Sequence, residues 1–365
     1  MKKFTKILSL ILCLVMMLSL LASCASNKEE GNNNKNSDDG AIQTLEGDFY
    51  DENGLYYVAM ADKTCKVSVG RATGLKKIVI PATYQGYTVT TIAQAGFANC
   101  EDLESITIPD TVETIESLAF QNCSKLLEIK LGNNAKLKKI GYGALKGTAY
   151  YEENGKDQDV FYFGKYLIEA KKDLTACEIK DGTTVIAAHA FYGCTTLKSV
   201  TIPASVKYID TFAFNNCSSL KRVYISSMKA WCSIEFADHT VNPLSLISKG
   251  TTKETIDGKE VQLTNGMYLN GTVVTSVEIT SDITSISDYA FYNYQVLESV
   301  YFSEAIKTIG NGAFGELSLN SSVKPIDGVQ VQIYKVFYAG NQNSWKAVQK
   351  AGAGLPGNDH IDFAK

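Results

Sequence analysis

Apolar residues recur along this chain in a pattern that repeats every 23 residues. Leu103-Glu-Ser-Ile-Thr-Ile-Pro109 opens one copy, and Leu197-Lys-Ser-Val-Thr-Ile-Pro203 opens another. Both copies continue through a Val, an Ile and an Ala-Phe pair to a cysteine, Cys123 in the first and Cys217 in the second. A fixed period of about 20 to 50 residues is typical of a solenoid, in which repeats stack on one another.

Further copies appear when some drift and insertion are allowed. Seven regular units begin at Leu75, Leu103, Leu126, Leu174, Leu197, Val274 and Leu297. An eighth unit begins at Leu220 and decays into an insertion. We therefore predict a repeat region over residues 75–320, interrupted by inserts at 149–173 and 226–273.

The composition of one unit explains why units must stack. In Leu-x-x-Ile-x-Ile the two Ile residues are two positions apart, so both point to the same side of a β-strand. The following Pro lacks an N–H donor and ends the strand. One unit cannot cover its own apolar side, whereas neighbours about 4.8 Å apart bury it between them. The pattern predicts a parallel β-rich coil with ladders of Ile, Phe and Cys.

The signature Leu-x-x-Ile-x-Ile-Pro-x-x-Val-x-x-Ile-x-x-x-Ala-Phe-x-x-Cys closely resembles the BspA-type leucine-rich repeat of bacterial surface proteins. The resemblance covers roughly residues 75–320. It implies a leucine-rich-repeat solenoid, a parallel β-rich right-handed superhelix with short helical and hairpin inserts. It also implies an extracellular or cell-envelope protein engaged in binding or adhesion, and not an enzyme.

The N-terminus predicts export independently of the repeats. Lys2, Lys3 and Lys6 precede an apolar stretch over 7–21, the arrangement of a signal peptide. The stretch ends in Leu21-Ala-Ser-Cys24, which resembles a bacterial lipobox. In that family of signals the chain is cut before the Cys, so residues 1–23 are removed and Cys24 carries a diacylglyceryl group. The alternative is an ordinary secretory signal with an accidental Cys. We expect an extracytoplasmic protein that is lipid-anchored to the bacterial cell membrane.

The segments outside the repeats are predicted to be a tether and two caps. Residues 24–46 are rich in Asn, Ser, Lys, Glu and Asp, a composition typical of a disordered tether. Residues 47–74 contain two alternating runs around Asp62-Lys63, which predicts paired strands that cap one end of the solenoid. Residues 321–365 are predicted to cap the other end.

Each insert carries its own local signal. Val160-Phe-Tyr-Phe163 and Tyr166-Leu-Ile-Glu-Ala170 flank Gly164-Lys165, which predicts a β-hairpin. Trp231, in the insert at 226–273, and Trp345, near the C-terminus, lie in segments that we interpret as short helices covering solenoid edges.

The charge of the chain argues against nucleic acid as a partner. The formal net charge is −4, and loss of the three signal-peptide lysines changes it to −7. Nucleic-acid binding requires a clustered basic face. No run of Lys or Arg exceeds two residues.

Four of the nine cysteines share one repeat position. Cys100, Cys123, Cys194 and Cys217 are predicted to be small buried side chains stacked rung on rung. Disulfides between adjacent rungs stay open as an alternative, because the spacing approaches the disulfide range. A metal site is not expected, because there is no Cys-x-x-Cys pair and the three His lie far apart in the sequence.

No catalytic motif is present. The chain lacks Gly-x-Ser-x-Gly, Gly-x-x-x-x-Gly-Lys-[Ser/Thr] and His-Glu-x-x-His. His189 occupies the repeat position that Leu118 and Phe212 fill in other units, so we interpret it as a structural residue. We expect no enzyme activity, no catalytic residue and no cofactor.

Function is therefore expected on a surface. The outward positions of the first strands are mostly Ser, Thr and charged residues, and the candidate binding face consists of Lys198, Thr201, Lys221, Arg222, Tyr224 and Tyr301. A merely soluble sheet face is the alternative interpretation. Trp231 and Trp345 are candidate aromatic contacts for a sugar.

Two functions compete. The first is a non-catalytic, lipid-anchored surface protein that binds protein or matrix ligands through its repeat face, as solenoids commonly do. The alternative is a glycan-binding or cell-envelope scaffold lipoprotein that uses the Tyr- and Trp-bearing inserts.

Overall fold

The repeating units coil into a parallel β-solenoid of about 12 turns, which confirms the fold predicted from the repeat. The computed structural model describes residues 49–256, 258–315, 335–350, 352, 355 and 361–364. The predicted signal peptide at 1–23, the lipidation site Cys24 and the predicted tether at 24–46 lie outside the described residues.

The first strands of successive units form the main sheet, whose consecutive strands pair in parallel within three described segments. The first segment is β3 (Lys77–Val79), β6 (Ser105–Ile108) and β8 (Glu128–Leu131). The second is β12 (Ala176–Glu178), β14 (Ser199–Ile202), β16 (Arg222–Ile225), β20 (Gly266–Leu269) and an antiparallel β21 (Thr272–Val273). The third is β22 (Ser276–Ile279), β24 (Ser299–Phe302), β26 (Lys335–Tyr338) and β27 (Ile361–Phe363).

Side chains alternate across these strands as the sequence pattern predicts. In β14, Val200 and Ile202 are buried, whereas Ser199 and Thr201 face outward. Val200 pairs in register with Val223 of β16, so like residues stack from rung to rung. A shift of one residue would turn this apolar set to solvent, and the buried face therefore fixes the register.

Three of the parallel main-sheet strands come from segments that the sequence pattern placed outside the regular units. β20 belongs to the predicted insert at 226–273, and β26 and β27 belong to the predicted C-terminal cap. They keep the inward alternation: Met267 pairs with Val223, and Val336 pairs with Val300. Both Met267 and Val336 are buried, so these segments continue the solenoid core.

A second sheet runs along another side of the coil, largely from the x-Ile pairs after each Pro. One part is β1 (Tyr56–Ala59), β2 (Thr64–Ser68), β4 (Thr83–Tyr84), β5 (Tyr87–Ile92), β7 (Thr114–Ile115) and β9 (Lys139–Ile140). Another is β10 (Val160–Phe163), β11 (Tyr166–Ala170), β13 (Val185–Ile186), β15 (Tyr208–Ile209) and β17 (Glu235–Phe236). A last pair is β23 (Ser285–Ile286) and β25 (Thr308–Ile309).

The Ala-Phe segments form a third side made of hydrogen-bonded turns. The N–H of Phe191 donates to the carbonyl of Ala213 in the next rung at 2.7 Å, and Phe97 donates to Ala119 at 2.8 Å. The rings stack beneath these bonds, with the Phe191 and Phe214 centroids 4.9 Å apart. The predicted Phe ladder is therefore a column in the core.

These turns need a left-handed backbone two residues after each Phe. Asn122, Asn216 and Asn293 occupy that position with φ values of 60°, 62° and 53°. Asn tolerates this conformation better than most residues because its short amide side chain can form hydrogen bonds with the nearby backbone. The Asn before the repeat Cys or its Tyr replacement thus has a backbone role.

The repeat cysteines are buried thiols bonded to the main chain. Cys123 Sγ donates to the carbonyl of Phe97 at 2.9 Å, and Cys217 Sγ donates to that of Phe191 at 3.1 Å. Every cysteine of the described residues is free, so the rung-to-rung disulfides left open by the sequence are not formed. Burial raises the pKa of Cys217 to about 12, which keeps this thiol uncharged.

Short helices and hairpins fill the inserts. The predicted hairpin at 149–173 is β10–β11, preceded by α1 (Ala149–Asn154). The two Trp segments form α2 (Met228–Cys232) and α3 (Gln342–Ala347), as predicted. A further hairpin pairs β18 (Thr251–Ile256) with β19 (Lys259–Thr264), and 3₁₀ turns cover His239–Val241 and Pro243–Leu246.

Replacing Phe214 with Ala should lower the free energy of unfolding by about 3–5 kcal/mol, because it removes a fully buried ring from the Phe ladder. Phe212→Ala is the matched control: Phe212 lies on the same turn but is 44% exposed, so its loss should stay within about 0.5 kcal/mol. Urea denaturation measures both. Equal losses in the free energy of unfolding would show that burial in the Phe ladder does not stabilise the fold.

Candidate binding surface

The outward side chains of β3, β6, β8, β12, β14, β16, β20, β22, β24 and β26 form a surface that we call the main face. It carries mostly Ser, Thr and charges of both signs. Lys76 and Glu104 form an ion pair of 3.0 Å between neighbouring rungs at its margin. Exposed pairs of this kind contribute about 0–1 kcal/mol, so they keep the face soluble more than they stabilise it.

The structure brings four of the predicted binding residues together. Thr201 and Tyr224 pair in register on β14 and β16. Lys198 and Lys221 lie just before these strands, where the Lys221 N–H donates to the Lys198 carbonyl at 2.9 Å. Tyr301 lies on β24, in the third segment of the main sheet, and is 41% exposed.

Two aromatic pairs stand out from this polar surface. Tyr224 packs against Tyr268 of β20 with ring centroids 5.1 Å apart. Tyr301 stacks on Phe337 of β26 at 4.4 Å, with the ring planes within 2° of parallel. The parallel β-strands produce this stacking, because register places equivalent outward residues directly beside one another.

The Tyr301–Phe337 pair lines a shallow groove of about 460 Å³. Glu278 and Asp362 contribute carboxylates to its lining, one on each side of the aromatic pair. The groove therefore combines exposed ring surface with acceptors for hydrogen bonds. Such a mixture suits recognition of a polypeptide, because aromatic anchors with polar neighbours are enriched at protein interfaces.

Tyr268 and Phe337 were missed in the sequence because both lie in irregular segments. Gly266-Met-Tyr-Leu269 belongs to the long insert, and Lys335-Val-Phe-Tyr338 belongs to the predicted cap. Their short alternation of buried and outward residues was the available signal. Without the preceding Leu and following Pro of a regular unit, it did not identify a rung.

Arg222 does not belong to the open part of the main face, contrary to the sequence prediction. Its side chain points outward from β16 but is only 2% exposed. The hairpin β18–β19 lies over it, and Glu254 of β18 forms an ion pair with the guanidinium Nη2. Alternation gave the direction of Arg222 correctly, and the insert then covered it.

The two tryptophans are core residues and not sugar platforms. Trp231 is 1% exposed, and its Nε1–H donates to the Ala290 carbonyl at 2.8 Å. Trp345 is fully buried and packs against Phe302 and Tyr338, with ring centroids 5.4 Å and 4.9 Å away. Neither ring presents a face to solvent, so the sequence hypothesis of sugar stacking on these residues is wrong.

A different set of aromatic rings is exposed on the side formed by the Ala-Phe turns. Tyr142, Tyr192 and Phe212 are 48%, 40% and 44% exposed and surround the ring of His189 at 4.9–5.1 Å. We call these four residues the turn-side cluster. Burial, followed by the charge of Lys172, lowers the pKa of His189 and so favours its neutral form.

His189 has the structural position that the sequence predicted. Its φ of 61° matches that of Leu118 at 61° and Phe212 at 56°, so all three residues hold the same turn in the left-handed region. This conformation is unusual for bulky residues. The rung-to-rung bond from the His189 N–H to the Thr211 carbonyl, 3.0 Å long, helps to hold it.

The described part of the chain contains no group of three or more His, Cys, Asp or Glu residues placed to hold a metal ion. Nor do its helices include one with the length and apolar character needed to span a bilayer.

The chain belongs to the family described as the BspA type leucine rich repeat region. The family model matches in six copies over residues 71–174, 161–248 and 259–344. The members are repeat proteins of the protein-interaction and adhesion type, and typically bacterial surface proteins. Leucine-rich-repeat proteins are generally non-catalytic binding scaffolds.

Solved structures of other leucine-rich-repeat proteins resemble the chain at low identity. A leucine rich cell surface protein from Faecalibacterium prausnitzii is 20% identical, with 84% of this chain and 98% of that chain covered and a TM-score of 0.31. A leucine rich repeat protein from T. pallidum is 23% identical, with coverages of 48% and 70% and a TM-score of 0.29. The pneumococcal vaccine antigen PcpA is 18% identical, with coverages of 75% and 67% and a TM-score of 0.28. Likenesses this distant carry no argument about ligands. A search of curated proteins finds no match.

Proposed function

We propose that this protein is a non-catalytic, lipid-anchored protein of the bacterial cell surface that binds a protein or matrix ligand through its main face. The observation that carries the proposal is the stacked pair formed in the groove by Tyr301, which is 41% exposed, and the half-buried Phe337. Each of the other outward positions of β24 and β26 is polar, Ser299 and Lys335 respectively. The outer surface of such an aromatic pair contributes little to the free energy of folding, because folding leaves it uncovered. It contributes to binding, because a ligand that covers the rings buries that area.

The rigidity of the pair supports the same function. Val300 and Phe302 on β24 and Val336 and Tyr338 on β26 are buried beneath it, so the two rings stand on a packed core. Rings held by strands lose little conformational entropy when a ligand binds. The aromatic pair is therefore a suitable anchor point for a protein interface.

The variant Tyr301→Ala with Phe337→Ala should raise the Kd for the bound surface protein about thirtyfold, corresponding to ~2 kcal/mol. The full chain serves as bait in a pull-down that identifies the bound protein from labelled cell surfaces. Biolayer interferometry then measures the Kd of each variant for that protein. Val79→Ala is the matched control, because Val79 is also an apolar residue of the main face, 68% exposed, but without an aromatic neighbour in register. An unchanged Kd in the double variant would remove the groove from the interface.

The membrane attachment is proposed from the sequence around Cys24. Burial of acyl chains contributes ~0.8 kcal/mol per CH₂, so several chains on one cysteine hold a protein firmly to a bilayer. The predicted tether at 24–46 would place the solenoid away from the membrane, where its main face is accessible.

Replacing Cys24 with Ala should release the protein from the membrane fraction, because the sulfur that receives the lipid is lost. Detergent-phase partitioning of cells that express each variant measures the effect. Cys13→Ala is the control: Cys13 lies within the signal segment that is removed, so this variant should stay membrane-bound. Continued membrane fractionation of Cys24→Ala would contradict the anchor.

Glycan binding is a second candidate, favoured by the exposed turn-side cluster. The aromatic faces of Tyr142, Tyr192 and Phe212 are presented together at nearly half exposure, unlike those of the buried tryptophans. Tyr rings combine an apolar face with a polar hydroxyl, which suits the alternating character of a sugar.

The variant Tyr142→Ala with Tyr192→Ala should weaken binding to any glycan recognised on an array by roughly tenfold, since each stacked ring contributes ~0.5–1.5 kcal/mol. The Tyr301→Ala and Phe337→Ala variant serves as the control, because it alters aromatic rings on another side of the coil. If the wild-type protein binds no glycan on the array, this second candidate fails and the protein-ligand proposal is unaffected.

A further inference from the structure

The hairpin β18–β19 covers the main face at Arg222. We propose that this hairpin is a strap that competes with an acidic peptide segment of the protein partner for Arg222. Glu254 then occupies, in the free protein, the place that a partner's carboxylate takes in the complex. This inference rests on the proposed function, because it assigns the partner chemistry and the regulation of the same face.

Arg222 is an outward residue held in an incompletely satisfied state. Its guanidinium stays charged and offers five N–H donors. Nη2 pairs with Glu254, whereas Nη1 is buried and has no hydrogen-bond partner among the described residues. Burial of a cation whose donors are unfilled is costly. A ligand carboxylate that bonds both nitrogens offers the geometry that arginine prefers.

The hairpin is tied mainly at its base. The Asn265 N–H donates to the Gly250 carbonyl at 2.8 Å, and Thr252 Oγ1 donates to Asn265 Oδ1 at 2.7 Å. Farther out, Lys259, Glu260, Val261 and Gln262 of β19 are exposed on both faces of the hairpin. A two-stranded hairpin is at best marginally stable by itself. Glu254 therefore fastens the hairpin to the main sheet, because the base of the hairpin alone would hold it loosely.

The residues beside Arg222 fix the charge of the partner. Lys198 is exposed, and Lys221 is half-buried at the start of the neighbouring strand. Within the described part of the chain neither lysine has an ion-pair partner. Opening of the strap places the Arg222 charge next to these two, beside Tyr224 and Tyr268. Three cations with adjacent aromatic rings complement an acidic peptide, and one of the three, Arg222, already pairs with the acidic side chain of Glu254.

Competition predicts how affinity depends on the strap. A ligand that binds only the open state has an apparent Kd equal to its intrinsic Kd divided by the open fraction. Removal of the Glu254 charge leaves Arg222 buried without a counterion in the closed state, which destabilises that state. The open fraction then rises, and acidic ligands bind more tightly.

The test measures the Kd of the full chain for an oligoglutamate peptide by fluorescence anisotropy. In parallel, it measures the rate of hydrogen exchange at the β18 and β19 amides. Glu254→Gln should lower the peptide Kd roughly tenfold and speed exchange in the hairpin. Glu260→Gln is the matched control, because Glu260 lies on the same hairpin and pairs with exposed Lys253 away from Arg222. It should change neither quantity.

A further variant tests the cationic face directly. Lys198→Gln with Lys221→Gln, combined with Glu254→Gln, should reverse most of the gained affinity while the faster exchange remains. Faster exchange in Glu254→Gln without tighter peptide binding overturns the proposal, and so does an equal gain for an oligolysine peptide. Unchanged exchange and affinity overturn it as well. Each of these failures leaves the Tyr301 and Phe337 interface standing, because that interface is tested with different variants and a different ligand.

Discussion

Hydrogen bonds between successive rungs hold neighbouring turns about 4.8 Å apart, and the other features of the solenoid depend on that spacing. They run along the main sheet, where Val200 pairs with Val223, and along the turns, where Phe191 donates to Ala213. Because the backbone of each rung is fixed against the next, an inward side chain must pack on its own equivalent one rung away. The Ile, Phe and Cys columns follow from this requirement and are silent about function.

The same constraint leaves two kinds of position free to vary. Outward residues of the main sheet contact only their in-register neighbours, so the Tyr301–Phe337 pair can replace a polar pair without disturbing the core. Residues at the left-handed turn position project from the edge of the coil, where bulky rings such as His189 and Phe212 are tolerated. Both aromatic surfaces therefore lie where the ladder imposes the least on the side chain.

Periodicity predicts which way a residue points, but it does not report what lies over it. The sequence identified the strands of the regular units, the buried Cys position and the Trp-bearing helices, since each depends on residues within one or two units. It failed at Arg222, which is covered by Glu254, 32 residues farther along the chain. It failed also at Trp231, whose indole bonds to Ala290, 59 residues away. Those contacts are made by an insert that lacks the repeat pattern, so the regular repeat does not predict them.

The long insert is joined to the repeats by two substitutions that depend on each other. Tyr294 stands where other units have Cys, and its hydroxyl accepts from the Met267 N–H and donates to the Val274 carbonyl, both at 2.8 Å. A β-carbon at Gly266 would lie 2.9 Å from that hydroxyl. The backbone φ of Gly266 is 152°, a value that residues with a side chain rarely adopt. Gly266 thus makes room for Tyr294, and Tyr294 fastens β20 to the following rung. This junction carries the main sheet past Arg222 while β18 and β19 remain outside the ladder. A repeat protein can thereby acquire a hairpin over its main face without breaking the column that holds the rungs together.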